Sequence, residues 1–238
     1  MPGREFEDRV VVVTGVGRAG QAGEAVARAF GEAGAIVYCL SRGAEVRDRA
    51  AELRARGIRA TAHQIDLTDF AAAAATAATI AASHSGRIDA TVALAGGFAA
   101  SGPIAESDPH VYVQQVAINL TTAYSTARAF LPPVRAARGA LVFAASAAAL
   151  PGARSARLSA YAAAKAGVVQ LVRTLADEER TSGVRVNAVA PTRLRTEANV
   201  ASISGQTRYI ELDEFSRVVL ALCGVAGARV TGNVVELS

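Results

Sequence analysis

Short apolar runs rich in valine and isoleucine alternate along the chain with longer amphipathic or alanine-rich stretches. The apolar runs predict strands at 10–14, 36–40, 61–65, 90–94, 140–145, 185–190 and 233–237. The stretches between them predict helices at 24–33, 45–56, 69–83, 108–131, 159–180 and 214–222. Strands that are apolar on both faces are typical of a parallel sheet covered by helices on both sides. The pattern predicts an α/β fold with a Rossmann-like, doubly wound parallel sheet of about seven strands, in which residues 1–238 form one domain.

Two helix boundaries in this prediction rest on individual residues. Thr68 is expected to cap the alanine-rich helix, because its hydroxyl can accept a hydrogen bond from a free backbone N–H of the first turn. Pro132 and Pro133 are expected to end the helix predicted at 108–131, since proline lacks a backbone N–H and its ring clashes with the preceding turn.

A glycine-rich turn follows the first strand directly and precedes the first helix. It reads Gly15-Val16-Gly17-Arg18-Ala19-Gly20 and continues to Gly23. Glycine permits a tight turn and a close approach of the backbone, and the N-terminus of the following helix attracts a phosphate group. In this strand–turn–helix context the motif predicts that the chain binds a dinucleotide.

The end of the second strand indicates which dinucleotide is bound. A site that prefers NAD carries an acidic residue there, which holds the 2′-hydroxyl of the adenosine ribose. This chain has Ser41-Arg42 instead, and an arginine can pair with a 2′-phosphate, with Arg18 of the glycine turn in support. The sequence therefore favours NADP(H) over NAD(H). The alternative is that Arg42 is a solvent-facing loop charge.

Tyr161 and Lys165 lie four residues apart in the helix predicted at 159–180, and therefore on one face of it. Lys165 is the only lysine of the chain, and all other long basic side chains are arginines. A free tyrosine titrates near pH ~10, and a nearby ammonium group favours its ionised form. The pair thus predicts a tyrosine with a lowered pKa that transfers protons. The alternative is a solvated pair on an exposed helix.

Composition narrows the class of protein. Of the 238 residues, 51% are hydrophobic and 19% are charged, which is typical of a globular chain. The net charge of +4 comes without basic runs laced with aromatic residues, so no nucleic-acid partner is expected. The alanine run at 71–83 is too weakly apolar to span a membrane, and residues 1–9 do not resemble a signal peptide. With Cys39 and Cys223 interpreted as reduced core residues, we expect a cytoplasmic protein.

Three other chemistries find little support. His63, His84 and His110 lack the spacing of metal ligands, so no metal site is expected. Ser146 does not lie in a Gly-x-Ser-x-Gly motif, which argues against a serine hydrolase. A methyltransferase with a similar glycine turn would have no use for the pair of Tyr161 and Lys165.

Several of these residues follow strand ends, where ligands bind in a doubly wound sheet. In their order and spacing, the motifs resemble those of the short-chain dehydrogenase/reductase family over nearly the whole chain. The matching positions are Thr14-Gly15 with the glycine turn, Asp66, Asn119, Ser146, Tyr161-x-x-x-Lys165, and Asn187 to Pro191 followed by Thr196. The resemblance implies an oxidoreductase that uses a nicotinamide cofactor.

The resemblance also implies a role for each matching residue. Tyr161 would protonate the carbonyl oxygen as hydride arrives, and Ser146 would hold that oxygen. Lys165 would lower the Tyr161 pKa and bind the nicotinamide ribose, while Asn119 would hold a water that connects Lys165 to solvent. Further cofactor contacts are implied for Thr14, Gly15, Gly17, Arg18, Gly20, Gly23, Ser41, Arg42, Asp66 (at the adenine), Leu67, Ala95, Gly96, Pro191 and Thr196 (at the nicotinamide).

The chain departs from the usual pattern of that family on the cofactor side. Ala19 and Gln21 stand at two glycine positions, so we expect a turn two residues longer than usual, with Gly23 at the start of the helix. The usual Asn-Asn-Ala-Gly after the fourth strand is Ala93-Leu94-Ala95-Gly96, and the usual Pro-Gly after the sixth is Pro191-Thr192. None of these departures removes a catalytic group.

Together these features predict an NADP(H)-dependent carbonyl reductase or alcohol dehydrogenase for a small molecule, with a 3-oxoacyl thioester as the default substrate by analogy. The alternative is a dinucleotide-binding sensor or scaffold with little activity, which the altered turn and a short substrate-loop segment at about 197–211 would suit. The resemblance further implies a homodimer or homotetramer that pairs through the helices containing Asn119 and Tyr161.

Overall fold

The computed structural model describes residues 4–202 and 208–238. In this part of the chain, seven strands form one sheet in the order β3-β2-β1-β4-β5-β6-β7, and all neighbouring strands run parallel. The strands are β1 (Val10–Thr14), β2 (Ile36–Ser41), β3 (Arg59–Gln64), β4 (Ala90–Ala93), β5 (Ala140–Ala144), β6 (Arg185–Pro191) and β7 (Val234–Leu237). The predicted doubly wound sheet is confirmed.

Helices cover both faces of the sheet. They are α1 (Ala22–Glu32), α2 (Val46–Ala55), α3 (Phe70–Ala82), α4 (Pro109–Gln115), α5 (Thr122–Ala137), α6 (Ser159–Glu178), α7 (Glu197–Ser202) and α8 (Leu212–Cys223). Short 3-10 turns span Ile104–Glu106, Ala147–Ala149 and Val225–Gly227, and these turns and α7 were not predicted. None of the helices described here has the length and apolar character needed to cross a membrane.

The two faces of the sheet carry separate apolar cores. In β1, Val10 and Val12 pack into the core beneath α3, α5 and α6, whereas Val11 and Val13 pack against α1, α2 and α8. All five residues of β1 are buried. This two-sided burial explains why the strand is apolar throughout and does not alternate with polar residues.

The cap of α3 differs from the prediction. Asp69, and not Thr68, is the N-cap residue, and its Oδ1 accepts hydrogen bonds from the backbone N–H groups of Ala71 at 2.9 Å and Ala72 at 3.0 Å. The hydroxyl of Thr68 instead donates to Asp66 at 2.8 Å. An aspartate is among the strongest capping residues, and Thr68 is engaged elsewhere.

The predicted end of the fourth helix is also wrong. A π-helical segment (Val116–Thr121) interrupts the stretch, and α5 then continues through Pro132 and Pro133 to Ala137. Phe130 and Val134, on either side of the prolines, are fully buried in the core beneath the helix. Packing of this apolar face outweighs the cost of about 3 kcal/mol that an interior proline imposes on a helix.

Candidate active site

The carboxyl ends of β1 and β4 are tied together by a side chain. Thr14, at the end of β1, is fully buried, and its Oγ1 accepts hydrogen bonds from the backbone N–H groups of Leu94 and Ala95, both at 3.0 Å. These bonds are made to the backbone, so they do not need the asparagines that the family usually has after β4. Thr14 therefore positions the loop in which we predicted Ala95 and Gly96 as cofactor contacts.

The glycine turn is closed by two glycines that have no room for a side chain. Gly15 has a φ of +78°, and a Cβ there would lie 2.8 Å from the backbone carbon of Leu94. A Cβ on Gly23 would lie 2.3 Å from the carbonyl oxygen of Gly15. α1 begins at Ala22, so Gly23 lies in its first turn and packs that turn against the carbonyl of Gly15. This agrees with the predicted glycine turn that is longer than usual. Gly17 and Gly20 are less constrained by neighbouring atoms.

The N-terminus of α1 fits the phosphates of a dinucleotide. Its N-cap residue, Gln21, makes no side-chain cap bond, so the side chain leaves the backbone N–H groups of the first turn available. In the glycine turn before α1, the backbone N–H of Gly20 is already engaged, because it donates to Glu24 Oε2 at 3.1 Å. Sequence reasoning did not single out Glu24, whose carboxylate lies beside the predicted phosphate position.

Ser41, Arg42 and Asp66 meet at the ends of β2 and β3. Asp66 accepts hydrogen bonds from the backbone N–H and hydroxyl of Thr68, and these bonds, assisted by the charge of Arg42, hold its pKa below the ordinary value. Ser41 Oγ would lie 3.2 Å from a Cβ on Gly17, which brings this corner next to the glycine turn. Arg42 is exposed at the end of β2.

Two predicted cofactor residues differ in accessibility at this edge. Arg18 is exposed in the glycine turn, whereas Leu67 is only 4% exposed and packs in the core beneath α3. An arginine at the surface can reach a phosphate, but a buried leucine side chain cannot contact a cofactor at the sheet edge. Any contact from Leu67 must therefore come from its backbone.

The residues proposed to carry the chemistry come together where β5 ends and α6 begins. Ser146 follows β5, and its Oγ accepts from the backbone N–H of Ala148 at 3.3 Å. Tyr161, in the first turn of α6, lies near Ser146, whose side chain lowers the Tyr161 pKa. Lys165 Nζ lies 6.0 Å from the centre of the Tyr161 ring and donates to the carbonyl oxygen of Ala144 at 2.7 Å. Serine, tyrosine and lysine thus form one cluster at the carboxyl edge of the sheet.

The protonation of this cluster differs from the prediction. Burial raises the pKa of Tyr161 above its ordinary value, and the nearby side chain of Ser146 opposes this only in part. Lys165 is 5% exposed, and burial lowers its pKa to about 8. The expected lowering of the Tyr161 pKa by Lys165 is therefore wrong for the chain by itself. Burial of the Tyr161 hydroxyl and of the Lys165 ammonium disfavours their charged forms more than the attraction between these charges favours them.

Asn119 lies in the π-helical segment and fixes the loop that follows β4. Its Nδ2 donates to the carbonyl oxygen of Gly97 at 2.9 Å and to the backbone oxygen of Gln115 at 3.1 Å, and its Oδ1 accepts from the backbone N–H of Gly97 at 3.2 Å. A Cβ on Gly96 would lie 2.7 Å from Asn119 Oδ1 and 3.5 Å from Lys165 Nζ. Asn119 is therefore close to Lys165. Local π-helical turns occur often at functional sites.

The remaining predicted residues lie at the end of β6. Pro191 is the last residue of β6, and Thr196 is 6% exposed and accepts a hydrogen bond from the backbone N–H of Asn199 at 3.2 Å. The substrate-loop segment at 197–211 begins with α7, and residues 203–207 lie outside the described residues. At its foot, a parallel bridge pairs Leu194 with Ile210.

The residues to which we assigned no chemistry have structural contacts. Cys39 and Cys223 are buried and unpaired, and burial raises the pKa of both thiols to about 12. His84 Nε2 lies 2.8 Å from the hydroxyl of Tyr38, whose ring also contacts that of His63. Within residues 4–202 and 208–238, no group of three or more histidine, cysteine or acidic side chains is arranged to hold a metal ion.

Phe98 is a residue of this site that sequence reasoning missed. Its ring meets the ring of Tyr161 edge to face, with centroids 5.1 Å apart and planes at 80°. It follows the pair Gly96-Gly97 in an irregular loop, where no periodicity marks a residue as buried or functional. Only the contact in space reveals it.

The sequence of this chain matches a known protein family and several known dehydrogenases. Residues 9–207 match the family described as short chain dehydrogenase. A cis-4-hydroxycyclohexanecarboxylate dehydrogenase of Sinomonas cyclohexanicum is 38% identical over 192 residues, which cover 79% of this chain and 74% of that protein. A galactitol 2-dehydrogenase of Rhizobium johnstonii is 32% identical over 240 residues, and the match covers 95% of this chain and 92% of that protein.

A solved structure agrees with these relatives. A protein described as an NAD(P)-dependent gluconate 5-dehydrogenase from Beutenbergia cavernae, with NADP bound at low occupancy, superimposes with a TM-score of 0.87. It is 31% identical, and the match covers 98% of this chain and 97% of that one. The family match spans most of the chain, and its relatives are dehydrogenases that share the fold. The chain therefore belongs to the short chain dehydrogenase family and is an oxidoreductase.

Proposed function

We propose that this protein transfers hydride between NADP(H) and a ketone or secondary alcohol of low molecular weight. The observation that carries the proposal is the cluster of Ser146, Tyr161 and Lys165 beside the glycine turn, at the carboxyl edge of the sheet. When bound, the cofactor supplies or accepts the hydride. The protein must then bind the substrate oxygen and move one proton to or from it.

Tyr161 and Ser146 are suited to that task. Ser146 Oγ accepts a backbone hydrogen bond, and its single hydrogen, which is directed towards Tyr161 in the chain by itself, can instead be donated to a substrate oxygen. In reduction, the Tyr161 hydroxyl donates its proton to the carbonyl oxygen, and in oxidation the phenolate accepts it back. The raised pKa of Tyr161 keeps the phenol protonated at neutral pH, which favours its use as an acid.

Lys165 is placed to hold the cofactor ribose. An ammonium group has three donors, and the Ala144 carbonyl accepts from one of them. The neighbouring Gly96 has no side chain, and a Cβ there would lie 3.5 Å from Lys165 Nζ. The remaining N–H groups can therefore donate to ribose hydroxyls on that side. The role of Asn119 in holding a water beside Lys165 is part of this proposal.

The preference for NADP(H) rests on the corner formed by Arg18, Ser41 and Arg42. An exposed guanidinium at the end of β2 can make paired hydrogen bonds with a 2′-phosphate. The NADP bound to the Beutenbergia cavernae relative supports this assignment. The runner-up is NAD(H), for which Asp66 would have to replace the missing acid of β2.

The names of the relatives support a secondary alcohol or ketone as the substrate. They include dehydrogenases named for cis-4-hydroxycyclohexanecarboxylate, meso-2,3-butanediol and galactitol. The 3-oxoacyl thioester predicted by analogy stays a narrower alternative. Reduction of a simple ketone and of a 3-oxoacyl thioester would use the same tyrosine, because both substrates have a ketone oxygen that must be protonated.

Cofactor binding tests the proposal first. We expect NADPH to bind at least about tenfold more tightly than NADH in a fluorescence titration, because paired bonds from Arg42 to a phosphate are charge-assisted. Arg42→Ala should raise the Kd of NADPH about tenfold and leave that of NADH within about twofold. Arg47→Ala, at another exposed arginine nearby, serves as the control.

A panel of ketones and secondary alcohols then tests the activity. Turnover with NADPH supports the reductase, while equal binding of NADH refutes only the cofactor preference. Tight binding of NADPH without turnover of any panel member would favour the alternative of a sensor. The cytoplasmic location expected from the reduced cysteines stays a prediction.

We also propose that two copies of the chain pair through the surface of α5 and α6. Phe70 and Tyr124 are 40% and 51% exposed, with their rings 6.1 Å apart, and they line a groove with Leu120 and Gly167. We expect light scattering at micromolar concentration to show a dimer or tetramer, and Tyr124→Glu to give a monomer because it places a charge in an apolar contact.

The control for this experiment is Val225→Glu. Val225 is 70% exposed and follows α8, on the opposite face of the sheet. This variant should assemble as the wild type does. A monomeric wild-type protein would contradict the proposed assembly.

A further inference from the structure

An aromatic ring stands exposed beside the proposed proton donor. Phe98 is 65% exposed although it is one of the large apolar side chains of the protein. One side of its ring is engaged by the Tyr161 ring, at a centroid distance of 5.1 Å. A single exposed apolar residue needs no explanation by itself. The contact with Tyr161 makes this one different, because any substrate must approach the Tyr161 hydroxyl.

The loop that carries Phe98 is fastened on both sides of it. On one side, the backbone N–H and carbonyl of Gly97 are both hydrogen-bonded to the Asn119 side chain, at 3.2 and 2.9 Å. On the other side, the backbone N–H of Ser101 donates to the carbonyl oxygen of Arg157 at 3.0 Å, and its Oγ lies 3.1 Å from that of Ser159. Phe98 is therefore held in place by α6 and by the π-helical segment.

This fastening includes strained backbone. Arg157, whose carbonyl also accepts from the backbone N–H of Gly102 at 3.1 Å, has a φ of +66°. A left-handed conformation is uncommon for such a residue and costs about 1–3 kcal/mol. It places the Arg157 carbonyl against the loop two residues before α6 begins. The loop around Phe98 and the start of the Tyr161 helix are thus built as one unit.

Small apolar side chains follow Ser146, which we propose to hold the substrate oxygen. Ala147, Ala148 and Ala149 come directly after Ser146 and are half-buried. None of them carries a polar group or occupies much space. The site around Tyr161 and Ser146 thus contains an aromatic ring and, directly after Ser146, a run of methyl groups.

We propose that Phe98 forms an apolar subsite for the hydrocarbon ring of a cyclic ketone or cyclic secondary alcohol, beside the carbon that reacts. This inference rests on the proposed function and narrows its substrate class. The exposed part of the Phe98 ring offers a flat apolar surface, against which a saturated or aromatic ring buries more area than a short chain does. Phe98 is a specificity-determining residue and takes no part in proton transfer.

The test compares ring ketones with small open-chain ketones. Cyclohexanone and its alkylated derivatives form one set, and ketones of up to about four carbons, too small to cover a phenylalanine ring, form the other. Phe98→Ala should lower kcat/KM for the ring set about tenfold or more, mainly through KM, and change that of the open-chain set less than about threefold. Phe98→Leu, which keeps an apolar side chain without the flat ring, should lie between wild type and Phe98→Ala.

Two further readouts separate this role from a merely structural one. The Kd of NADPH should stay within about twofold in Phe98→Ala, since the loop anchors at Gly97 and Ser101 are unchanged. The pH above which ketone reduction declines should move down, because more water reaches the half-buried Tyr161. Val225→Ala, at a remote exposed valine, is the control and should alter none of these values.

Each outcome decides a different point. A fall in kcat/KM of Phe98→Ala that is confined to the ring ketones supports the subsite. Equal loss of both sets, no loss of either, or a wild type that reduces only open-chain ketones overturns the subsite and leaves the proposed function standing. A wild type that reduces no ketone of either set overturns the proposed function, and the subsite with it.

Discussion

Replacing Tyr161 by phenylalanine should lower kcat for ketone reduction about a thousandfold, because the variant has no hydroxyl to protonate the substrate oxygen and general acid catalysis contributes about 10²–10⁴ in rate. Phenylalanine fills the same space and keeps the edge-to-face contact with Phe98. The Kd of NADPH should therefore change less than about threefold. Steady-state kinetics and a fluorescence titration measure the two quantities separately.

The matched control is Tyr112→Phe, which removes a hydroxyl from a 55% exposed tyrosine on α4 and should leave kcat unchanged. In the wild type, reduction should decline as the pH rises through the Tyr161 pKa, which burial holds above the ordinary value of 10.0. Oxidation of the alcohol should rise over the same range, since it needs the phenolate. Full turnover by Tyr161→Phe would refute the assignment of the proton donor.

Replacing Lys165 by methionine should abolish most of the activity and make the protein more stable. Burial lowers the Lys165 pKa from 10.5 to about 8, so the ammonium destabilises the folded chain. At about 1.4 kcal/mol for each pKa unit, this cost is about 3 kcal/mol at pH 7. The methionine stem fills similar volume but loses the bond to the Ala144 carbonyl, worth about 1 kcal/mol. We expect the free energy of unfolding to rise by about 2 kcal/mol.

The pH dependence of this gain has a defined sign. Below pH 8 the wild type carries the full penalty, and between pH 8 and 10.5 the unfolded chain binds more protons at Lys165 than the folded one. Wild-type stability therefore rises through this window relative to the variant, and the gain from Lys165→Met shrinks as the pH increases. Urea unfolding of the wild type and of Lys165→Met at pH 7 and pH 10 measures how this gain in the free energy of unfolding changes with pH. A variant less stable than wild type at pH 7 would contradict the cost of the buried ammonium.

Arg173→Met provides the comparison, because it removes an exposed cation from the same helix and should change the free energy of unfolding by less than about 0.5 kcal/mol. A gain confined to Lys165→Met would show that the chain retains a destabilising buried charge at the site of reaction. Such a charge is typical of a group kept for cofactor binding or catalysis.

Much of the fold could be predicted from short stretches of sequence. The run Val10–Thr14 is β-branched at every position and buried on both faces, which is typical of a central parallel strand. The length of the glycine turn could be predicted as well, because only a glycine at position 23 allows α1 to pack on the carbonyl of Gly15. These features depend on backbone geometry, which neighbouring residues largely determine.

Local chemistry was a poorer guide where distant parts of the chain compete. Pro132 and Pro133 should end a helix, yet the apolar face formed by Phe130 and Val134 keeps α5 intact across them. The helix predicted around Asn119 contains a π-helical segment, and the Asn119 side chain there bonds to Gly97 in the loop after β4. In both cases, tertiary contacts outweigh the intrinsic preference of the segment.

The sequence by itself determined the order of strands and helices, the longer glycine turn, and the presence of the serine, tyrosine, lysine and asparagine of the site. Only the tertiary structure decided how those groups ionise and what lies beside them. Burial raises the Tyr161 pKa and lowers that of Lys165, and it depends on every element packed around the two residues. The contact of Phe98 with Tyr161 joins a loop residue to a residue of α6 that lies far away in the sequence. A pattern within either segment alone does not show that the two rings meet.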